Sequence, residues 1–200
     1  FATNAILIGC EQTKEGVIID PAPGSKAALL KSAEAHGLIV TKILLTHSHW
    51  DHTGDLAIVK EHYNIPVYVH PADVENVKNP GSDGLPMPVH VRPVDPEKRL
   101  EDGQKIKVGN LEIEVMHTPG HTPGSVCFYF PKEQALITGD TLFKGAIGNI
   151  SFPTANRPDM WVSLKKLDKL PKETAVYPGH GETTVMKNET WLCDAEKLFG

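Results

Sequence analysis

Apolar runs break this chain into short segments separated by clusters of Gly, Pro, Asn and Asp. Two strand-like runs open it, Ala5–Cys10 and Val17–Asp20, the second stopped by Pro21-Ala22-Pro23-Gly24. A helical stretch is predicted over roughly Ser25–His36, with Gly37 as its C-terminal stop. Ile39–Leu45 is continuous, apolar and partly β-branched, the pattern of a strand buried on both faces. Residues about Gly54–Tyr63 are predicted helical and Val67–Val69 a short strand.

From Pro71 to Leu100 the periodicity fades. Pro80-Gly81, Gly84, Pro86, Pro88, Pro93 and Pro96 cluster there, which predicts a long surface loop. Strands resume at Lys105–Val108, Leu111–His117, Ser125–Phe130 and Gln134–Thr138. A helix over Asp159–Leu170, a strand at Ala175–Tyr177 and a last helix near Lys187–Leu198 complete the reading. Hairpin-like strand pairs mixed with helices argue for stacked sheets flanked by helices, not a strict βαβ alternation.

At 200 residues the chain fits one domain, 1–200, with room for a substantial core. A net charge of −5 gives no reason to expect nucleic acid or an anionic membrane as partner. No apolar run approaches the ~20 residues of a membrane span, and no signal peptide is visible. Cys10, Cys127 and Cys193 are odd in number and form no CxxC pair, which suits reduced thiols and a cytoplasmic location.

Histidine changes the picture. The dense motif is His47-Ser48-His49-Trp50-Asp51-His52, directly after the buried strand. Four potential ligands at a strand-to-helix turn converge where the backbone reverses. Three further pieces share a layout, a polar residue at a strand end beside Gly or Pro. They are Thr118-Pro119-Gly120-His121-Thr122, Thr138-Gly139-Asp140-Thr141 and Tyr177-Pro178-Gly179-His180-Gly181. Each alone is weak, since a single His in a Gly-Pro turn is usually a surface turn. Together they supply His47, His49, His52, His121, His180, Asp51 and Asp140.

That set exceeds the four ligands of a closed structural zinc site, and no cysteine lies near any motif. Two divalent ions with open positions are the simplest fit. Imidazole with carboxylate points to zinc and also accepts iron or manganese. Two such ions against Asp51, Asp140 and one hydroxide leave a small positive excess, attractive to an acyl oxygen. A hydroxide shared by two ions, formed from water whose pKa falls to about 7, can attack a carbonyl or ester-like centre. No serine or cysteine nucleophile is then needed, and Asp51 and Asp140 are the residues catalysis depends on.

The sequence here resembles the metallo-β-lactamase superfamily, and within it the glyoxalase II (hydroxyacylglutathione hydrolase) branch. The resemblance runs through Ile19-Asp20-Pro21, Thr46–Asp55, His117–Ser125, Gly139–Phe143 and Pro178–Thr184. It implies an α+β, four-layer αββα sandwich. It implies one metal on His47, His49 and His121, another on Asp51, His52 and His180, and Asp140 as the bridge. The implied activity is hydrolysis of a small thioester or related acyl substrate. The branch's glutathione grip is missing: no basic residue stands near Asn149, and no tyrosine follows His180 in His180-Gly181-Glu182-Thr183. The chain is thus closer to short, single-domain glyoxalase II-like hydrolases.

Two other activities share these motifs. Similar proteins that oxidise persulfides use one iron on the equivalents of His47 or His49, His121 and Asp140, and lactonases use the same fold. Asp20, at a strand end, is read equally as support for the metal loops or as a plain strand terminator. His117 is assigned a hydrogen-bonded structural role, and His36, His62, His70 and His90 surface or local contacts. Trp50 is read as packing against the following helix. Lys144 and Arg157 are solvated cations in this reading, not substrate contacts.

Overall fold

The computed structural model describes residues 2–200 and builds two sheets. Strand β1 (Ile6–Gly9) runs antiparallel to β2 (Glu15–Ile19). Helix α1 (Lys26–Ala35) then crosses over so that β3 (Ile39–Leu44) lies parallel to β2. Helices α2 (Trp50–Thr53) and α3 (Leu56–Tyr63) lead to β4 (Val67–Val69). A 3-10 turn at Pro71–Asp73, helix α4 (Val74–Lys78) and strand β5 (Lys98–Arg99) finish the first sheet, ordered β1-β2-β3-β4-β5.

The second sheet begins as a meander of β6 (Lys105–Val108), β7 (Leu111–His117), β8 (Val126–Phe130) and β9 (Ala135–Gly139). Helix α5 (Arg157–Leu167) returns the chain to β10 (Ala175–Pro178), parallel to β9, and β11 (Thr184–Val185) closes the edge. Helix α6 (Ala195–Phe199) ends the chain.

Side-chain alternation explains the layering. Val17 and Ile19 of β2 face the other sheet, and Ile18 between them faces the helices. In β8, Val126, Phe128 and Phe130 join the core between the sheets, while Cys127 and Tyr129 pack with Met160, Trp161 and Leu164 of α5. A strand covered on both faces reads as an unbroken apolar run, as β8 does, whereas β3 is interrupted by the half-buried Thr41 and Lys42. The product is an αββα sandwich of the α+β class. Among the described residues, no helix is long and apolar enough to cross a membrane.

Two expectations need correction. The stretch from Pro71 to Leu100 is not a plain surface loop, because it holds a 3-10 turn, α4 and β5. It also buries Asp73, Asn76, Val77, Asp83, Val91 and Val94. Its polar side chains are satisfied internally: Asn76 Oδ1 alone accepts from Gly81 N, Ser82 Oγ and Asp83 N. Such burial leaves no hydrophobic period to read. The last helix is also shorter than the span Lys187–Leu198 suggests. Two 3-10 turns, Met186–Asn188 and Leu192–Asp194, precede the one-turn α6. Glu189 ties this region down by accepting from Thr184 Oγ1 and Trp191 Nε1, bonds that compete with a continuous helix.

Candidate metal centre

The seven candidate donors come from loops and from the one-turn helix α2, which carries Asp51 and His52. Ile19 pairs with Leu44 across parallel strands, so Asp20 and the Thr46–His47 turn leave β2 and β3 side by side. Gly139 pairs with Pro178 across β9 and β10, so Asp140 and His180 leave a second parallel pair together. His121 lies in the loop between β7 and β8, held down by α5. Asn156 N donates to Gly120 O at 2.8 Å, and Ser163 Oγ to Pro119 O at 2.7 Å. Gly120 has φ 140°, and a Cβ there would lie 2.6 Å from Met160 N, so only glycine lets the loop sit this low on α5.

Asp20 organises the first turn, which decides between its two sequence readings. Its carboxylate accepts from Thr46 N (2.8 Å), Thr46 Oγ1 (2.5 Å) and His52 Nδ1 (2.9 Å). A carboxylate only accepts, so His52 carries its proton on Nδ1 and turns Nε2 inward. Thr46 Oγ1 spends its hydrogen on Asp20 and therefore accepts from His47 Nδ1 at 3.0 Å. His121 Nδ1 donates to Asn149 O (2.9 Å) and His180 Nδ1 to Ala2 O (3.0 Å). Four imidazoles are thus steered through Nδ1, each leaving Nε2 for the centre.

Asp140 stands between two donor groups. Its oxygens lie 3.2 Å from His52 Nε2, 3.4 Å from His121 Nε2 and 3.5 Å from His180 Nε2. Asp51 Oδ2 is 3.2 Å from His180 Nε2 and 3.9 Å from His52 Nε2. The donors group as His47, His49, His121 and as Asp51, His52, His180, with the atoms of each group within 4.8 Å of one another. A third grouping, Asp20, His47 and His52, is geometrically close. Asp20's oxygens are already spent on Thr46 and His52 Nδ1, so we read it as support.

The electrostatics ask for cations. Burial pushes His47 well below the usual imidazole range and His49 down to about 3, so both are neutral donors. Burial opposes charge on His52 and His180 as well, but carboxylates outweigh it. Asp140 and Asp20 hold His52 well above its ordinary value, and Asp140 with Asp51 lifts His180 to about 10. Asp140 is correspondingly held well below the carboxylate range, chiefly by His52, although its burial works the other way. His47 Nε2, His121 Nε2 and Asp140 Oδ1 are buried without a hydrogen-bond partner. Orphaned imidazole nitrogens beside an unpaired carboxylate oxygen are what a metal ion satisfies, so the donor set fits divalent ions.

The support under this centre includes a residue that the sequence pattern gave no reason to pick. Asp73 accepts from Ser48 N (2.8 Å), Thr122 Oγ1 (3.0 Å) and Gly124 N (2.7 Å), tying the His47–His49 turn to the His121 loop. Burial raises its pKa. Phe152 sets its ring edge-on to His49, with centroids 5.6 Å apart, and lies 5.7 Å from His121; Phe143 lies 5.9 Å from His180. His117 has the local role expected of it: it stacks on His70 at 4.0 Å and donates from Nε2 to Pro123 O. Lys144 pairs with Glu182, and Arg157 approaches Ser151 Oγ at 3.5 Å.

Comparison with known proteins places this geometry. A sequence model of the metallo-beta-lactamase superfamily matches residues 1–180. The probable metallo-hydrolase YqgX of Bacillus subtilis is 34% identical, over 86% of this chain and 83% of its own length. A hydroxyacylglutathione hydrolase of Rhodospirillum rubrum is 33% identical over 88% of this chain, but only 61% of that longer protein is matched. Among solved structures, BLEG-1 B3 metallo-beta-lactamase superposes with a TM-score of 0.85 at 34% identity, covering 94% of this chain and 90% of that one. TTHA1623 in a di-iron-bound form gives a TM-score of 0.80 at 38% identity, covering 94% and 91%.

Proposed function

The chain belongs to the metallo-beta-lactamase superfamily, and from that premise we propose that residues 1–200 act as one domain, a binuclear metal-dependent hydrolase of small thioester or related acyl substrates. The observation that carries the reading is Asp140, within 3.5 Å of imidazoles from both donor groups. His47, His49 and His121 would hold one ion and Asp51, His52 and His180 the other, with Asp140 between them. Zinc is the expected ion, and iron the one to separate from it, given the di-iron form of a similar structure. Bound there, the pair would supply a Lewis acid for the acyl oxygen and a water whose pKa is lowered to about 7.

The chain's own residues do the rest. Asp51 and Asp140 offset the ions' charge and fix their spacing. The Nδ1 bonds to Thr46, Asp20, Asn149 and Ala2 hold four imidazoles in aim, so little reorganisation is needed at the moment of reaction. Phe152 and Phe143 give the centre apolar walls that exclude water and suit an uncharged acyl group. Lys144 is paired with Glu182, and the segment Gly148-Asn149-Ile150-Ser151 carries no basic residue for a glutathione grip, so a smaller or less anionic thioester fits better. The free thiols Cys10, Cys127 and Cys193 suit work in the reducing cytoplasm.

The test is a turnover panel of a 2-hydroxyacyl glutathione thioester, a short aliphatic thioester, a lactone and a β-lactam. The β-lactam belongs there because of the B3 enzyme's likeness. Thioester turnover is expected, falling roughly a hundredfold or more in Asp51→Ala and in Asp140→Ala. Turnover that survives both substitutions refutes the mechanism. Oxygen uptake with glutathione persulfide, without hydrolysis, reassigns the site to a mononuclear iron oxidoreductase.

A further inference from the structure

His49 is the exception among the five imidazoles of the centre. The other four have Nδ1 engaged by Thr46, Asp20, Asn149 and Ala2. The Nε2 of His49 is instead buried without a hydrogen-bond partner, and a carboxylate oxygen, Asp83 Oδ2, lies 3.9 Å from it. Asp83 sits in the Pro- and Gly-rich stretch to which the sequence pattern assigns no function.

This acid is built into place. Its side chain is 6% exposed. Oδ2 accepts from Asn76 Nδ2 at 2.8 Å, and Oδ1 accepts from Leu85 N at 2.9 Å. The same Asn76 Nδ2 reaches Ser48 O at 3.0 Å, and Ser48 lies between His47 and His49. One amide therefore anchors both the loop that carries Asp83 and the turn that carries His49. The two are registered to each other across a stretch that looks, in sequence, like a featureless loop.

We propose that Asp83 is the positioning residue of His49: its carboxylate accepts from His49 Nε2–H, fixes that tautomer, and leaves Nδ1 as the ion-binding nitrogen. This is the reverse of the other four imidazoles. A charge-assisted bond of this kind spans about 2.8 Å, so a side-chain adjustment of roughly 1 Å closes it. A ligating imidazole held this way is both oriented and made more basic, and losing such a partner weakens metal binding by about 10–100-fold. The segment 71–96 then has a function, which is to carry a buried acid to the back of a metal ligand. The ion in this inference rests on the binuclear reading; the hydrogen bond does not.

Long-range proton–nitrogen correlation spectra of the metal-free wild type report the tautomer of each histidine. His49 is expected to carry its proton on Nε2. In chelator competition, Asp83→Asn is expected to weaken one of the two ions by roughly 10–100-fold. Asp83→Glu, which restores a carboxylate, should recover most of the loss, as a purely structural role would not require. A wild-type His49 protonated on Nδ1, or Asp83→Asn holding both ions at wild-type affinity, overturns the proposal. A wild type that binds no ion overturns the binuclear reading instead, and the tautomer spectrum still decides the role of Asp83.

Discussion

Replacing Gly179 with alanine places a methyl group inside the centre and tests how tightly it is built. A Cβ there would lie 2.7 Å from His52 Cε1 and 3.1 Å from the Gly139 carbonyl carbon, with Asp140 Oδ1 nearer still. Carbon atoms in contact settle at about 3.5–4.0 Å, so something must retreat by roughly 0.8 Å or more. His52 is fully buried and pinned to Asp20, and the backbone at Gly179 is held by Gly139 O on one side and Asn4 N on the other. Asp140 is the group left to move, out of its contacts with His52, His121 and His180. A misplacement near 1 Å in a catalytic constellation costs on the order of a hundredfold, equivalent to about 2.7 kcal/mol in the barrier. Overpacking itself costs about 1–3 kcal/mol of folding stability. Turnover, metal per chain and the unfolding midpoint of the metal-free form separate the two effects. Wild-type turnover with a full metal complement in Gly179→Ala would refute the placement of Asp140 described here.

Three further expectations follow from the same contacts. Asp20→Asn puts an amide N–H against either Thr46 or His52 Nδ1, and should weaken one ion by roughly 10–100-fold in chelator competition; unchanged affinity counts against Asp20 as the orienting group. His180 is raised from 6.5 to about 10 in the folded metal-free chain, so its stabilisation is complete below about pH 6.5 and lost as pH rises towards 10. Denaturant midpoints of the metal-free protein should therefore fall across that window, and a rise would contradict the assignment. Phe152→Ala should raise KM for apolar acyl thioesters by roughly 5–30-fold at unchanged metal content. No change in KM would remove Phe152 from the acyl site.

The candidate donors were legible because metal chemistry demands rare residue types at short spacing. His47-Ser48-His49-Trp50-Asp51-His52 carries its signal in six adjacent positions, and Gly or Pro beside His121, Asp140 and His180 marks strand ends turned towards one place. The layered core was legible for a related reason: β8 is apolar on both faces and says so in sequence. The support was harder to read. Asp73, Asn76 and Asp83 are buried through hydrogen bonds made across long separations, Asp73 to Gly124 and Asn76 to Ser48 among them. Polar burial of that kind has no period, and Pro with Gly around it imitates an exposed loop. Asp20 lay between the two cases. A strand-ending aspartate is common, and only the geometry of Thr46 and His52 around it shows what it holds. The last helix was misread because Glu189 draws the chain into 3-10 turns by side-chain bonds that apolar spacing does not report.

The central claim is that the seven donors hold a pair of ions. Elemental analysis of metal per chain, on protein purified without added metal and again after reconstitution, tests it most directly. The account predicts about two ions per chain, zinc-rich, with the second lost in Asp140→Ala. A chain that binds no ion even after reconstitution, or one that keeps both without Asp140, contradicts it.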